Sequence, residues 1–426
     1  MTNFQLKSSL LQSDVNGSAA PKRFRILFLA PFAPHLEASH GGSRVIAQLI
    51  DHLAQRHSIA LCYLRGVGEP AVDGLLKEHC EVVEEVVIPQ IEDHVMNRWV
   101  RRLRVWEELI KGRPLWAIDR FSSAYGERVK ALLKTWRPDI VQIEFHIMGQ
   151  YLSALADDPV PRILVQHEPG EAATREIMRS PFAQGRIIPQ LDVLAWKRFE
   201  REVTRQVQTV VVFTERDRET VSRLGEQTPI VQIPLGTEIP DLPPLQAEGE
   251  PPSLLFVGNF RHLPNLDAAD RLINTIFPSV QAQFPTLRLF VVGEHLPADI
   301  LRRANDNVIL TGYVPDVKPY LDRATVVVVP LRLGGGMRVK VLEALAAAKP
   351  VIASARALEG LDLVDGEQVI LAEDDDEFAR AIVDLLGDPE RQASLASRAR
   401  DWAIANLSWE RTAVEYEALY RNLLEC

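Results

Sequence analysis

The chain has 426 residues, of which 46% are hydrophobic and 25% are charged, and its formal net charge is −10. This length is too great for one ordinary domain and suits two large ones. The acidic balance argues against nonspecific binding of nucleic acid, so we expect no nucleic-acid partner.

The cysteines and the apolar segments indicate a cytoplasmic protein. Cys62, Cys80 and Cys426 form no CxxC pair and have no metal-ligand spacing, which is typical of reduced thiols. No apolar run reaches the roughly 18 residues that a membrane-spanning helix needs. The polar N-terminus also lacks the apolar core of a secretory signal.

The first half of the chain alternates apolar runs with segments of helical spacing, which predicts parallel βαβ units. Residues 1–22 are polar, and we expect a disordered tail there and a domain over 23–235. Strands are predicted at 25–30, 58–64, 82–88, 139–144, 162–166 and 209–213. Helices are predicted at 43–57, over 92–135, between the fourth and fifth strands, and before Arg205.

Residues 94–110 are rich in arginine and tryptophan and allow two interpretations. Trp99, Leu103, Trp106 and Ile110 share one helical face. An apolar stripe of this kind ordinarily packs on the sheet, with the arginines in solvent. The alternative is peripheral contact with an anionic membrane, at the inner membrane face, where a lipid-linked acceptor would lie.

A proline-rich linker separates the two halves at residues 236–252, and the alternation then restarts over 253–407. Strands are predicted at 254–257, 287–292, 308–311, 325–329 and 350–353, and helices at 267–284, 375–388 and 389–406. The acidic run 373–377 is typical of a first helical turn. Because ligands lie at the carboxyl ends of parallel strands, the glycines that follow four of these strands predict a ligand site.

The triple glycine Gly334, Gly335 and Gly336 follows the fourth of these strands and precedes a helix with Arg338, Lys340 and Glu343 in its first turns. Glycines let a backbone approach a ligand closely, and a helix N-terminus favours phosphate. Glu343 can accept hydrogen bonds from sugar hydroxyls. The segment therefore predicts a nucleotide-sugar site, although many strand–glycine–helix turns bind nothing and no Walker motif is present.

The second half resembles the group 1 family of retaining, nucleotide-sugar-dependent glycosyltransferases with the GT-B fold. The segments that carry the resemblance are 256–265, 291–294, 310–316 and 330–353. The first half resembles the family through Gly41-Gly42, through 138–146 and through 164–168. The resemblance implies two Rossmann-like doubly wound domains facing across a cleft, with the final helix, 408–426, returning to the first domain.

The resemblance also implies roles for individual residues. The diphosphate would be held by Gly334, Gly335, Gly336, Arg338 and Lys340, with Gly258, Asn259 and Arg261 along its phosphate side. Glu343 would bind the ribose, and the base would be read near Gly312, Tyr313 and Val314. Gly41 and Gly42 would approach the donor phosphate or the acceptor from the other domain. No cofactor or metal is implied.

Two positions depart from the family pattern. Many members carry glutamates eight positions apart around the glycine loop, whereas this chain has Gly335 and Glu343. Many members also have a lysine and a glycine where Pro264 and Asn265 stand here. We hypothesise that Lys340 supplies the missing phosphate charge.

The catalytic candidates lie at the ends of two strands of the first domain. Glu144, His146 and His167 would face the cleft, and a neutral imidazole can position an acceptor or handle a proton. A solvated acid and a helix-capping histidine are equally ordinary interpretations, and no third ligand suggests a metal. We expect a glycosyltransferase that moves a sugar to a hydroxyl acceptor (a glycan, a lipid-linked glycan or a small molecule), with retention, in polysaccharide, glycolipid or other glycoconjugate synthesis. A nucleotide-sugar epimerase or hydrolase, and a non-catalytic nucleotide-sugar-binding protein, stay open.

Overall fold

The computed structural model of the protein describes residues 22–36, 41–88, 105–179, 187–240, 251–336 and 338–425. Two parallel sheets, each with helices packed on it, confirm the predicted fold class. Runs such as Ile26–Ala30 are fully buried, as expected for parallel strands that are covered on both faces.

The first sheet has seven parallel strands in the order β3-β2-β1-β4-β5-β6-β7. Their bounds are Arg25–Ala30 (β1), Ser58–Gly66 (β2), Val82–Ile88 (β3), Ile140–Glu144 (β4), Arg162–Gln166 (β5), Thr209–Val212 (β6) and Ile230–Gln232 (β7). The strand order reverses between β1 and β4, so the sheet is doubly wound. The sequence pattern did not predict β7, which has only three residues.

The helices of the first domain lie between these strands. They are Gly41–Ala54 (α1), Gly74–His79 (α2), Leu115–Asp119 (α3), Ser123–Thr135 (α4), Gly170–Arg179 (α5), Ile187–Thr204 (α6) and Glu215–Ser222 (α7), with a 3₁₀ helix at His146–Leu155. Helix α1 begins at Gly41, two residues before the predicted start at residue 43. Its buried positions, which include Val45, Ile46 and Leu49, follow the helical spacing that predicted it.

The second sheet has six parallel strands in the order β10-β9-β8-β11-β12-β13. Their bounds are Ser253–Val257 (β8), Arg288–Val292 (β9), Val308–Leu310 (β10), Val326–Val329 (β11), Val351–Ala353 (β12) and Ile370–Leu371 (β13). Here the order reverses between β8 and β11, which are hydrogen-bonded neighbours. The sequence pattern missed β13, which has two residues.

The helices of the second domain are Leu263–Arg271 (α8), Phe277–Gln281 (α9), Ala298–Leu301 (α10), Lys318–Arg323 (α11), Val339–Ala346 (α12), Asp375–Leu386 (α13) and Pro389–Asn406 (α14). A π-helical turn, Leu272–Ile276, joins α8 to α9. The acidic run opens α13, as expected, because Asp374 caps the helix and Glu377 completes a capping box.

The final helix, Trp409–Glu425 (α15), packs on the first domain. The Trp409 indole donates to Gln48 of α1 (2.6 Å), and Arg56 pairs with Glu417 (2.7 Å). The Tyr420 hydroxyl reaches Gln142 of β4, so this helix contacts the strand that carries Glu144.

Only the end of the basic, tryptophan-rich segment falls within the described residues, because 89–104 lie outside them. Residues 105–110 are helical. Trp106 is 37% exposed and Ile110 is 70% exposed, whereas Leu109 is buried. Over these residues the predicted apolar stripe therefore faces solvent rather than the sheet. Within the described ranges, no helix has the length and apolar character to cross a membrane.

Candidate functional site

The predicted donor segments meet at the point where the strand order of the second sheet reverses. Strand β8 runs into Gly258 and Asn259, and its neighbour β11 runs into the glycine loop. In open α/β sheets this crevice is the usual place for a ligand. The loop after β5 of the first domain lies against the same place, because the carbonyl oxygen of His167 closely approaches Gly336.

The glycine loop is shaped for close contact with the first domain. Gly334 (φ 92°) and Gly336 (φ 73°) adopt left-handed conformations that favour glycine. A Cβ atom on Gly336 would lie 2.5 Å from the carbonyl oxygen of His167, which is too close for any side chain. Gly335 has no such restriction, and its Cβ would lie 3.5 Å from Glu168 Oε1.

Two carboxylates of the first domain accept hydrogen bonds from the loop. The Gly335 N–H donates to Glu168 Oε1 (2.5 Å), and the Gly334 N–H donates to Glu176 Oε2 (2.8 Å). These are N–H groups that the sequence assigned to a diphosphate. That role stays a prediction, and it requires the carboxylates to move aside or the diphosphate to bind elsewhere on the loop.

Arg216 of helix α7 fixes this contact between the domains. Its guanidinium pairs with Glu176 (2.6 Å) on its own side and with Glu359 (2.8 Å) of the second domain. The same side chain donates to the carbonyl oxygen of Gly334 (3.4 Å). Arg216 therefore links the glycine loop and Glu359 of the second domain to helices α5 and α7 of the first domain.

Arg338 is the cation of the site that has unused donors. Its Nη1 donates to the Gly335 carbonyl, whereas Nε and Nη2 are buried without a hydrogen-bond partner among the described residues. Burial lowers the pKa of Arg338, and the negative charges of Glu168 and Asp217 oppose that shift. Buried donors of this kind call for an acceptor, and a phosphate oxygen is a suitable one.

Lys340 lies within the second domain beside the turn after β8. Its Nζ donates to Asn265 Oδ1 (2.7 Å) and lies 4.4 Å from the ring centre of Phe256. Asn265 in turn donates to the Asn259 carbonyl (3.0 Å), so the lysine is linked to the predicted phosphate-side turn. Burial, with smaller contributions from neighbouring cations, lowers the pKa of Lys340 to about 7.

Glu343, predicted to bind the ribose, pairs with Arg44 of helix α1 across the domains (2.9 Å). Gly41, at the start of the same helix, lies close to the second domain, since its Cβ would be 3.3 Å from a methyl carbon of Val339. The Gly41-Gly42 segment thus lies opposite the start of helix α12. Its contact with a ligand stays a prediction.

The other donor-side residues line the carboxyl edge of the second sheet. Gly258 packs on Asn265, and Arg261 is exposed. Gly312 is left-handed (φ 69°) and bridges to Gly293 at the end of β9. The Tyr313 ring is 63% exposed and could stack on a base, whereas Val314 is buried.

The catalytic candidates separate into a pair and a lone side chain. His167 Nε2 is hydrogen-bonded to Glu144 Oε2 (2.7 Å), and Glu144 Oε1 accepts from Gln142 (2.6 Å). His146 instead packs against Trp116 and Trp196, with ring centroids 5.8 and 4.5 Å away respectively. Both of its ring nitrogens lack a hydrogen-bond partner in the described structure, and burial lowers its pKa to about 3. His146 is therefore uncharged at neutral pH.

Sequence reasoning missed several residues that the fold brings to this site. The missed side chains are Arg44, Glu168, Glu176, Arg216 and Asn265. Signals were present for Glu168, which follows His167 at a strand end, and for Asn265, which stands at a position that departs from the family pattern. The other three, Arg44, Glu176 and Arg216, lie on helices and had no such signal. In the described residues, no group of three or more His, Cys, Asp or Glu side chains is arranged to hold a metal.

Two doubly wound parallel sheets, with a glycine loop of one held against the strand ends of the other, define a two-domain Rossmann-like protein. Residues 251–388 match the family described as "Glycosyl transferases group 1", and residues 39–239 match "Glycosyltransferase Family 4". Each domain thus matches the model of a glycosyltransferase family, which confirms the resemblance noted in the sequence.

Individual relatives agree with this assignment. A lipopolysaccharide core biosynthesis mannosyltransferase, LpcC, of Rhizobium leguminosarum bv. viciae is 30% identical over 176 residues, which cover 39% of this chain and 50% of that protein. A GDP-mannose-dependent alpha-(1-6)-phosphatidylinositol monomannoside mannosyltransferase of Mycolicibacterium smegmatis (strain ATCC 700084 / mc(2)155) is 30% identical over 156 residues, which cover 33% of this chain and 41% of that protein. The chain thus spans half or less of the length of these two relatives.

The fold has close counterparts among solved structures. A sucrose-phosphate synthase from Thermosynechococcus elongatus superposes with a TM-score of 0.69 at 20% identity, covering 95% of this chain and 100% of that chain. At this identity the likeness shows the fold, which is the GT-B fold of glycosyltransferases.

Proposed function

We propose that the protein transfers a sugar from a nucleoside diphosphate sugar to a hydroxyl group of an acceptor. The observation that carries the proposal is the glycine loop at the switch point, where Arg338 keeps two buried donors without partners. The first domain closes over this loop through Glu168 and Glu176. The matches of the two domains to glycosyltransferase family models support the same activity.

The chemistry follows from the leaving group. As the sugar departs, negative charge grows on the β-phosphate, and preorganised donors lower the energy of that state. Arg338, Lys340 and the N-terminus of helix α12 are the groups that would meet this charge. Contact between the two domains would exclude water and limit hydrolysis of the donor.

The names of the relatives suggest a substrate class. Both curated relatives are mannosyltransferases, and one is GDP-mannose-dependent. We therefore place GDP-mannose first among the donors, with other hexose nucleotides next. The acceptor would be a glycan, a lipid-linked glycan or a small molecule carrying a free hydroxyl, in glycoconjugate biosynthesis.

The mechanism is proposed to retain the anomeric configuration and to need no metal or other cofactor. Arg338 and Lys340 would supply the positive charge that a metal ion supplies to phosphate groups in other enzymes. The buried pair of Glu144 and His167 would position the acceptor or accept its proton, since Glu144 fixes the orientation of the imidazole. Retention would appear as the same anomeric configuration in product and donor, assigned from the one-bond C1–H1 coupling constant in their NMR spectra.

Contact with a membrane through residues 94–110 is part of the proposal. The described end of this segment exposes Trp106 and Ile110, which would insert at the lipid interface. Flotation with anionic vesicles tests it. Binding should weaken in the double variant Trp106→Ser/Ile110→Ser and should be absent with neutral vesicles.

Thermal-shift screening against UDP, GDP, ADP and their sugars tests donor binding, because a ligand that binds the native state raises the melting temperature. Release of nucleoside diphosphate only when an acceptor is added would support transfer. Fast release, or a new sugar epimer, without any acceptor would favour a hydrolase or epimerase. Donor binding with no turnover on any acceptor would favour a binding protein.

A further inference from the structure

We propose that Glu168 of the first domain accepts hydrogen bonds from hydroxyl groups of the sugar being transferred, and thereby contributes to selection of the donor. The inference rests on the proposed function, because it places a sugar beside the glycine loop. Glu168 lies at the end of β5, on the side of the gap opposite the loop that holds the donor.

The position of the carboxylate is fixed by the loop itself. Glu168 Oε1 accepts from the Gly335 N–H, so the side chain cannot turn freely. The other oxygen, Oε2, lies 3.7 Å from His262 Nε2, which is longer than a hydrogen bond. One oxygen is thus anchored, and the second has capacity to accept from a ligand.

Glu176 makes a comparable contact but has no such capacity. Its Oε2 accepts from the Gly334 N–H, and its Oε1 pairs with Arg216 (2.6 Å) and lies 3.5 Å from Arg356. Both of its oxygens therefore have partners within the protein. Of the two carboxylates on the loop, Glu168 is the one with an oxygen available to a sugar.

The charge of Glu168 indicates which part of the donor it meets. Burial alone would raise its pKa, but His262, Arg338 and the Gly335 N–H together lower it to about 2, so the group is ionised. An ionised carboxylate repels a diphosphate and accepts readily from hydroxyls. The diphosphate would then lie towards the free nitrogens of Arg338, and the uncharged sugar towards Glu168.

Gly335 offers a way to move the same carboxylate to the other domain. Its φ is ordinary, and a Cβ there would lie 3.5 Å from Glu168 Oε1, at van der Waals distance. A glutamate at position 335 would therefore extend into the volume that the Glu168 carboxylate occupies, once that side chain is removed. The double variant Glu168→Gly/Gly335→Glu therefore attaches the carboxylate to the second domain instead of the first, at approximately the same position.

The test compares affinities for GDP and GDP-mannose, or for UDP and UDP-glucose if GDP gives no thermal shift. Glu168→Gln should reduce the preference for the sugar nucleotide over the bare diphosphate by about tenfold, as expected for the loss of a charge-assisted hydrogen bond. Glu176→Gln is the matched control, and it should change both affinities by the same factor. The exchanged double variant should recover most of the preference.

An unchanged preference in Glu168→Gln would overturn the inference. The inference would also be wrong if Glu168→Gln bound GDP and GDP-mannose more tightly than the wild type by the same factor. The carboxylate would then act only by repelling the diphosphate. If Glu168→Gln does not fold, the same preference for the sugar nucleotide over the diphosphate is measured in Glu168→Asp and in the exchanged double variant. A wild-type chain that binds none of these nucleotides would instead refute the proposed function, and this inference with it.

Discussion

Donor binding is expected to weaken as the pH rises through 7, because Lys340 loses its proton there. Burial is the main cause that lowers its pKa to about 7, and the charges of Arg338 and Arg44 add to it. The charged form is therefore the minor one above this pH. A bound diphosphate stabilises the ammonium form and raises the pKa in the complex, so binding is strongest at low pH.

The size of the effect follows from this pKa. If only the ammonium form binds the diphosphate tightly, the apparent Kd scales with the ratio of total to protonated enzyme. That ratio is close to 1 at pH 6 and about 11 at pH 8, so the Kd for a sugar nucleotide should rise about tenfold between them. The diphosphate of a sugar nucleotide is esterified at both ends and does not itself titrate in this range.

Isothermal titration calorimetry at several pH values between 6 and 9 measures this directly. Lys340→Arg is the control, because arginine stays charged and should bind with a flatter profile. Burial raises the pKa of Asp217, near Arg338, to about 6, so this group also titrates, but the control variant retains it. A wild-type profile as flat as that of Lys340→Arg would refute the reasoning, as would an equal slope in both proteins.

Three further outcomes are expected. Gly336→Ala should lower the free energy of unfolding by about 2 kcal/mol or more in a denaturant titration, because the left-handed backbone and the carbonyl of His167 both oppose a Cβ. Gly335→Ala is the control and should change the free energy of unfolding little. Similar values for the two variants would contradict this prediction. Glu144→Gln should lower kcat by about 10- to 100-fold with little change in the donor KM. The double variant with His167→Ala should have a kcat only slightly lower, because the two residues act as a unit. Additive losses of kcat in steady-state assays would contradict this coupling. Excess EDTA should leave the initial rate unchanged, and a loss restored by Mg²⁺ or Mn²⁺ would show a metal requirement.

The strands and the glycine loop could be predicted because their signals are local. A run such as Val326–Val329 followed by three glycines specifies a buried strand and a sharp turn without reference to the rest of the chain. Strands β7 and β13, with three and two residues, are too short to show a pattern. Their pairing is decided by neighbouring strands that are distant in sequence.

The contacts between the domains could not be predicted in the same way. Glu168 and Gly335 are separated by 167 positions, and Arg44 and Glu343 by 299. The glycines were expected to make room for a ligand. At Gly336 the space that a side chain would need is occupied by the carbonyl oxygen of His167. The glycine there allows close contact between the two domains. Composition cannot distinguish these two uses of a glycine.

The charges that surround the gap nearly cancel, and this balance makes proton uptake part of donor binding. The cations are Arg44, Arg216, Arg338, Arg356 and Lys340, and the anions are Asp217, Glu168, Glu176, Glu343 and Glu359. At pH 8 the loss of the Lys340 proton leaves an excess of negative charge. The diphosphate of the donor adds two further negative charges. Binding at pH 8 should therefore take up close to one proton, and at pH 6 far less. Calorimetry in two buffers of different ionisation enthalpy measures this number. Equal binding heats in both buffers at pH 8 would mean that the lysine does not take part.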